Sequence, residues 1–366
     1  MLFLISAAAF GQGPAPMPQQ GTSGPVSVTG ATTLTVTGLP TTLKTVDIKW
    51  WNYTSGAAWD PMSDSNVTYG QPSAYVLQGS TNGTTWTNLS CTPSCNVTGE
   101  HYTGRQFIVD LTGTNYTQVR MNISSIVGSN AGYDTLTVNG QPGTNNSSDT
   151  FLLFGDSITA NCWVAANDVG SVEQLGYQVN AVVPTHFPVA TIGGQSGWLT
   201  STALSTSTYG VPNIQQFLTD LPAAKYIGVS LGTNDANGSV TAPTYCANMQ
   251  TIVQDILGAG RIPIVPTLIP SPPLNLTLVQ SYNSCLATVI ANNPGTLTGP
   301  DLYSTFYPHI GDSSWWITGS TLHPSLGTGC SALQAAWVNT LKTTLYSAAP
   351  TGTVLSGVTL QGATVQ

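Results

Sequence analysis

Beyond residue 150 the chain alternates short apolar runs with longer stretches in which apolar residues recur at helical spacing. The apolar runs include residues 151–154, 225–231 and 261–267. The helix-like stretches include residues 243–257, 278–291 and about 329–345. Strands that alternate with helices predict a parallel sheet with helices on both faces, a three-layer α/β/α architecture. Because active sites of such sheets lie at the carboxyl ends of the strands, we expect the chemistry in the turns that follow these runs.

Residues 25–140 differ, with short β-forming runs and frequent turn signals. Strands are predicted at residues 45–51, 105–111, 118–123 and 134–138. A hairpin is predicted within residues 74–89, because Asn82-Gly83 readily adopts the positive φ angles of a tight turn. Together these features predict an all-β sandwich ahead of the α/β domain.

Three further segments are predicted around these two domains. Residues 141–150 are polar and lack periodicity, which indicates a linker before an α/β domain over residues 151–349. Residues 1–24 are interpreted as a leader, because the first residues resemble the end of a signal peptide without its basic region, or else a hydrophobic arm. Residues 350–366 are expected to be an added strand or a disordered tail.

The composition limits the partners. Only 6% of the residues are charged, against about 25% in typical soluble domains. Uncharged polar residues and glycine fill the surface role, which favours a secreted, extracellular protein. The net charge is −8, with seven Lys and Arg together and no basic run, so nucleic acid and strongly anionic polymers are not expected as partners. No apolar run reaches about 18 residues, so a membrane partner is not expected either.

The six cysteines lack the paired spacing of a zinc site. Disulfide bonds are therefore favoured over buried free thiols, while the connectivity stays open. Cys91 and Cys95 are close enough in sequence for a local disulfide bond. We expect neither a metal ion nor an organic cofactor.

Three turns carry the candidate chemistry. The first predicted strand runs into Gly155-Asp156-Ser157-Ile158, which places a serine hydroxyl at a strand-to-helix turn. The second runs into Gly232-Thr233-Asn234-Asp235, which offers a side-chain amide. The segment Thr321-Leu322-His323-Pro324 offers an imidazole just before the last helix. Each of the three turns also has a purely structural interpretation, since a serine can cap a helix and a lone histidine is usually structural. Among the four histidines, His309 is the serious rival for the role of base.

Taken together, these three turns resemble signature blocks of the SGNH (GDSL-type) hydrolases, a family of serine esterases with an α/β fold. The resemblance implies that Ser157 is the nucleophile and that His323 is its base. It also implies that Asn234 donates a side-chain N–H to the oxyanion. Such a donor matters because acyl transfer places negative charge on the carbonyl oxygen.

The resemblance further implies that backbone N–H groups complete the oxyanion hole. Ser157 would supply one of them, and a glycine within residues 192–198 would supply the other. Gly197 is favoured because it follows a serine, and Gly194 is the alternative. A glycine-rich turn without any donor role is the competing interpretation.

The chain departs from the family pattern at one position. Most members carry an aspartate three residues before the histidine, where this chain has Ser320. That aspartate accepts the imidazole N–H and stabilises the imidazolium. Three alternatives are ranked in this order: a backbone carbonyl such as that of Ser320 accepts the hydrogen bond, Asp312 reaches in from its loop, or the site is weak or inactive.

Several runs within residues 59–122 resemble a discoidin or galactose-binding-like β-sandwich. Such modules often bind sugars, and aromatic rings offer flat apolar faces for stacking, although most aromatics in a sandwich belong to its core. Trp59 lies in a Pro-containing loop and is the candidate sugar contact, with Trp50 and Trp51 as further platforms. Trp86 is expected in the core.

The leading prediction is a secreted carbohydrate esterase that removes acetyl groups from an acetylated polysaccharide through an acyl-enzyme. A general short-chain carboxylesterase or lipase acting on small esters is the alternative. A polysaccharide-binding protein whose hydrolase domain no longer works is the third interpretation, suggested by Ser320.

Overall fold

The computed structural model describes residues 22–23, 26–28, 32–41, 44–51, 69–70, 72–98, 104–126, 130–133, 135–140, 149–163, 174–205 and 213–347. The candidate sugar contact Trp59 lies outside these residues, as do most of the predicted leader and linker and all of the predicted tail.

Every described helix or strand that begins before residue 150 is a strand. These strands are β1 (Thr22–Ser23), β2 (Val26–Val28), β3 (Thr32–Thr37), β4 (Thr45–Trp51), β5 (Tyr69–Gly70), β6 (Pro72–Ser80), β7 (Thr87–Asn88), β8 (Cys91–Thr92), β9 (Asn96–Thr98), β10 (Gly104–Asp110), β11 (Gln118–Ile126), β12 (Asn130–Tyr133) and β13 (Thr135–Gly140). The four strands predicted in this part are confirmed as β4, β10, β11 and β13.

Strands and helices alternate in the rest of the described chain. The strands are β14 (Thr150–Gly155), β15 (Val189–Gly194), β16 (Tyr226–Ser230), β17 (Ile262–Val265), β18 (Leu297–Thr298), β19 (Trp316–Ile317) and β20 (Ser320–Pro324). The helices are α1 (Ser157–Trp163), α2 (Gln174–Val182), α3 (Thr200–Leu204), α4 (Ile214–Asp220), α5 (Thr233–Asn237), α6 (Ala242–Gly258), α7 (Leu276–Asn292), α8 (Leu302–Phe306) and α9 (Thr328–Thr344). The predicted strands β14, β16 and β17 and the predicted helices α6, α7 and α9 are confirmed.

One ten-stranded sheet contains strands from both parts of the chain. Its order is β1-β13-β4-β10-β15-β14-β16-β17-β18, with β8 also paired to β10. The strands from β15 to β18 run parallel, as predicted. The strands from β1 to β10 pair antiparallel, and β10 also meets β15 antiparallel, so the whole sheet is mixed.

The junction between β10 and β15 crosses the boundary that the sequence predicts between two domains. Gly104 pairs with Ile192, and Arg105 pairs with Thr191. The Ala190 amide donates to Gln106 Oε1 at 3.1 Å in the same place. The β-rich part therefore continues directly into the sheet of the α/β part.

Side chains of β14 alternate between the two faces of the sheet, because successive residues of a strand point in opposite directions. Leu152 and Phe154 lie in a buried cluster with α3, α4, α6 and α7. Phe151 and Leu153 lie in a second cluster, with α1, α2, α8 and α9. Helices thus cover both faces of the parallel strands.

A second sheet, in the order β3-β11-β6-β7, packs against the antiparallel strands of the large sheet. Val36, Leu77 and Met121 from this second sheet share one buried cluster with Ile48 and Phe107 from the large sheet. The all-β sandwich predicted for residues 25–140 as a domain of its own stays a prediction. The resemblance to a discoidin module stays a prediction.

The predicted hairpin is confirmed. Strands β6 and β7 pair antiparallel, and Gly83 in their turn has a φ of 74°. Asn82 Oδ1 stabilises the turn by accepting hydrogen bonds from the amides of Thr84 and Thr85. Trp86 is not in the core as expected. It is half-buried, and the Arg120 guanidinium carbon lies 4.2 Å from its ring centroid.

All six cysteines form disulfide bonds, which confirms the expectation from the sequence. Cys91 bonds to Cys95 within the β-rich part. Cys162 bonds to Cys330, and Cys246 bonds to Cys285, both within the α/β part. Among the described helices, none has the length and apolar character needed to cross a membrane.

Candidate active site

Three turns meet at one edge of the sheet because β15, β14 and β16 are adjacent and parallel. The turn after β14 leads into Ser157, the first residue of α1. The turn after β16 leads into Asn234, and the turn after β15 contains Gly197. The carboxyl ends of neighbouring parallel strands thus bring together residues that are far apart in the sequence.

The Ser157 hydroxyl and the His323 imidazole form the centre of the site. Ser157 Oγ lies 2.8 Å from His323 Nε2, although 166 positions separate the two residues. Both side chains are buried, with 5% and 6% of their surfaces exposed. A hydrogen bond of this length is the contact through which a general base takes a proton from a nucleophile.

Asp156 holds the start of α1 from the preceding position. The amide of Ile158 donates to Asp156 Oδ1 at 2.9 Å, so this carboxylate caps the helix that begins with Ser157. The side chain is buried, and the Thr233 side chain also contributes a hydrogen bond to its carboxylate. Burial raises the pKa of Asp156 from 3.8 to about 7, and the nearby Asp235 adds to this effect.

Asn234 is tied to the loop that contains Gly197. Its side-chain nitrogen Nδ2 donates to the carbonyl oxygen of Trp198 at 3.0 Å. Because Gly197 directly precedes Trp198, this bond places the amide of Asn234 next to the predicted backbone donor. Asn234 is half-buried, whereas Gly197 is exposed with a φ of 70°.

Gly194, the alternative backbone donor, has a different place. It is the last residue of β15 and is buried. A Cβ atom at Gly194 would lie 2.4 Å from the amide nitrogen of Ala160 and 2.9 Å from the carbonyl oxygen of Asp156. Its lack of a side chain lets β15 and α1 approach closely, which is a packing requirement.

A buried network that the sequence analysis did not identify supports the turn of Asn234. Asp235 Oδ1 accepts a hydrogen bond from the Thr200 hydroxyl at 2.6 Å, and Asp235 Oδ2 accepts one from the Thr200 amide at 3.0 Å. Asn248 Nδ2 in turn donates to the Thr200 hydroxyl at 2.9 Å. Burial raises the pKa of Asp235, while the Thr200 hydrogen bonds oppose that shift. In the sequence, the signal for this network is Asp235, the acidic residue that follows Asn234.

The two candidate hydrogen-bond partners of His323, Asp312 and Ser320, have different surroundings in the structure. Asp312 is exposed, and its Oδ1 accepts hydrogen bonds from the amide and hydroxyl of Ser314, at 2.9 Å and 2.7 Å. These hydrogen bonds lower the pKa of Asp312. Ser320 opens β20, the strand that carries His323, and pairs with Ile317. The carbonyl of Ser320 remains the predicted acceptor.

His309, the other candidate for the role of base, stacks on an aromatic side chain. The imidazole of His309 lies flat on Trp315, with ring centroids 3.7 Å apart and an interplanar angle of 6°. Of the described histidines, His323 is the one whose hydrogen bond to Ser157 the structure shows. Within the described ranges, no three His, Cys, Asp or Glu side chains converge as a metal site would require.

The site defines the class of protein, which is an ester hydrolase, and comparison with known families supports this. Residues 153–326 match the GDSL-like lipase/acylhydrolase family, and they include both Ser157 and His323. The segment is therefore a domain of that family, as the resemblance of the three turns implies. No curated protein matches the chain.

Three solved structures illustrate the similarity. A lipase/acylhydrolase from Enterococcus faecalis has 20% identity and a TM-score of 0.40, over 53% of this chain and 95% of that chain. The Bacillus subtilis protein YXIM has 15% identity and a TM-score of 0.46, over 88% of this chain and 90% of its own. An acetylxylan esterase from Geobacillus stearothermophilus has 17% identity and a TM-score of 0.42, over 53% and 94%.

Proposed function

We propose that this protein is a secreted serine esterase that hydrolyses O-acetyl esters on carbohydrate through the pair Ser157 and His323. One observation carries the proposal, which is the 2.8 Å contact between Ser157 Oγ and His323 Nε2 at the carboxyl edge of the sheet. Sequence positions so far apart meet at hydrogen-bonding distance with amide donors nearby, which is the arrangement that acyl transfer requires.

The proposed reaction has two steps. In the first step, His323 Nε2 takes the proton of Ser157 Oγ while the oxygen attacks the ester carbonyl. The Asn234 side chain and the amides of Gly197 and Ser157 donate hydrogen bonds to the oxyanion, and the alcohol leaves with the proton from His323. In the second step, His323 activates a water molecule that hydrolyses the acyl-enzyme and restores Ser157.

A Ser-His dyad fits the surroundings of His323 better than a full triad. Asp312 is exposed and bound to Ser314, so its carboxylate is engaged away from a buried imidazole. We therefore assign the role of imidazole acceptor to a backbone carbonyl, that of Ser320. A neutral acceptor orients the imidazole but stabilises its charged form less than a carboxylate does.

The substrate class is inferred from the rest of the chain. A chain in which 6% of the residues are charged offers few ionic contacts to a charged polymer and suits a neutral, hydroxyl-rich one. The resemblance of the β-rich part to sugar-binding modules points the same way. A secreted location is supported by three disulfide bonds, because such bonds persist in oxidising compartments.

A second candidate is a short-chain carboxylesterase without a polysaccharide substrate. The pairing of β10 with β15 favours it, because a β-rich part that continues the hydrolase sheet has a structural role of its own. Such a part need not bind sugar. Such an enzyme would hydrolyse small aryl esters in preference to acetylated polysaccharide, whereas the carbohydrate esterase would prefer the polysaccharide.

The test compares the wild type with Ser157→Ala, and with Ser331→Ala as a matched control on an exposed serine of α9. Turnover of p-nitrophenyl acetate and acetate release from acetylated xylan are measured for each. We expect Ser157→Ala to lose at least about a thousandfold in kcat and Ser331→Ala to keep its activity. Preference for the polysaccharide supports the carbohydrate esterase, and preference for the aryl ester supports the second candidate. Activity retained in Ser157→Ala would overturn both.

A further inference from the structure

We propose that the Cys162–Cys330 disulfide bond is a positioning device for the Ser157–His323 pair, beyond any contribution to overall stability. This inference rests on the function proposed above. The disulfide bond is not part of the reacting groups, but it joins the helix that begins with Ser157 to the helix that follows the strand of His323.

Both members of the pair stand on short elements. Ser157 is the first residue of α1, a helix of seven residues. His323 lies on β20, which among the described strands pairs with the two-residue strand β19 alone, in a separate small sheet. The long ladder of the large sheet therefore does not hold His323 directly. The Ser271 hydroxyl donates to the carbonyl oxygen of Leu322 on β20 at 2.9 Å, and the links from β20 and the following helix to α1 further fix His323 relative to Ser157.

The disulfide bond makes that connection close to both residues. Cys162 lies on α1 with Ser157, and Cys330 lies in the first turn of α9, which follows the strand of His323. The two Cα atoms are 4.8 Å apart, although 168 positions separate the residues. Residues 157–162 and residues 323–330 thus form a closed ring, which the disulfide bond closes at one end and the Ser157–His323 hydrogen bond closes at the other.

Further contacts make this ring rigid. Both sulfur-bearing residues are buried, with 0% and 1% of their surfaces exposed. Gln334 on α9 donates from Nε2 to the carbonyl oxygen of Cys162 at 2.5 Å. The Cys330 amide donates to the carbonyl oxygen of Ser325 at 2.8 Å, which ties the start of α9 to the residues just after His323.

The pair depends on this ring more than a full triad would. No carboxylate stands at the position three residues before His323, where Ser320 lies, and Asp312 is bound to Ser314. Displacing a reacting group by about 1 Å can lower the rate about a hundredfold, because proton transfer and nucleophilic attack require a closely defined distance and orientation. The covalent link restricts the relative movement of α1 and β20 that would cause such a displacement.

The chain offers a matched control. Cys246 on α6 and Cys285 on α7 form a second disulfide bond inside the α/β part, on elements that carry neither member of the pair. Removing either bond is expected to lower Tm, since cross-links restrict the unfolded chain. Only removal of the Cys162–Cys330 bond is expected to change the chemical step.

The experiment measures kcat, KM and Tm for wild type, Cys162→Ser/Cys330→Ser and Cys246→Ser/Cys285→Ser, with near-UV circular dichroism as the check of folding. We expect the first variant to lose at least about tenfold in kcat with KM changed by less than about twofold, and the second to keep both constants. Cys162→Ala/Cys330→Val, which fills the buried site with apolar groups, serves if the serine variant does not fold.

Each outcome decides the matter. Unchanged kcat in the folded Cys162–Cys330 variant, or an equal loss of kcat in the control, would overturn the positioning role. Failure of both Cys162–Cys330 variants to fold would do the same, because the bond would then be a requirement of folding alone. A wild type whose activity survives Ser157→Ala would instead refute the proposed function, which keeps the two failures distinct.

Discussion

The buried carboxyl group of Asp156 makes a prediction about stability and pH. Its side chain is 1% exposed, and its Oδ1 accepts a hydrogen bond from the Ile158 amide. Burial, with a smaller contribution from Asp235, raises its pKa from 3.8 to about 7. The folded protein therefore binds this proton more tightly than the unfolded chain does.

The magnitude follows from the interval between the two pKa values. The stability that this proton contributes is fully present below pH 3.8 and is lost as the pH rises through about 7. The interval is about three pKa units, and each unit is worth about 1.4 kcal/mol, so the loss amounts to about 4 kcal/mol. The variant Asp156→Asn keeps the shape of the side chain but cannot titrate, so it should not show this loss.

The assay is urea unfolding of wild type and Asp156→Asn between about pH 4 and about pH 8. We expect the free energy of unfolding of wild type to fall by about 4 kcal/mol relative to the variant over this range. Asp110→Asn, at an exposed carboxyl whose pKa is lowered, is the matched control and should leave the slope above about pH 5 unchanged. Parallel pH profiles for wild type and Asp156→Asn would refute this account of the buried carboxyl.

Three further predictions concern the groups around the reacting pair. Asn234→Ala should lower kcat by about a hundredfold or more with little change in KM, because it removes an oxyanion donor; a change in KM alone would contradict the role. Thr200→Val should lower the free energy of unfolding by about 1–3 kcal/mol in urea titrations, because buried Asp235 loses its hydroxyl donor, and an unchanged midpoint would count against that network. Asp312→Ala should leave kcat within about twofold, because the Asp312 carboxylate is exposed and bound to Ser314; a loss of about a hundredfold or more would make Asp312 the partner of His323.

Elements with a simple pattern could be predicted from the sequence. The apolar run of β14 is buried on both faces, and continuous apolar runs of this kind indicate central parallel strands. Helices α6 and α7 have seventeen residues each, long enough for their hydrophobic spacing to be read. Strand β15 was missed because Thr191 and the two glycines at its end interrupt its apolar run.

Long-range features could not be predicted, because they depend on pairing between distant residues. The sequence indicates a polar linker over residues 141–150, and it gives no local signal for the pairing of Arg105 with Thr191, which places strands from both sides of that segment in one sheet. The same holds for the Cys162–Cys330 bond, since spacing alone does not determine connectivity.

The site was predictable where short turns carry the chemistry. Ser157, Asn234 and His323 each follow or precede a recognisable element, and the structure brings Ser157 and His323 into contact. Asp235 is visible in the sequence as the acidic residue after Asn234, but its partner Thr200 was not predictable, because a threonine at the start of a short helix gives no signal of its own.

The central claim is that Ser157 reacts because His323 takes its proton, and covalent labelling tests it most directly. An aryl phosphonate ester is added to wild type, Ser157→Ala and His323→Ala, and the labelled residue and the labelling rate are measured by mass spectrometry. We predict a single label on Ser157 in wild type, none in Ser157→Ala, and a rate at least about a thousandfold lower in His323→Ala. A label on another residue, or an unchanged rate in His323→Ala, would contradict the claim.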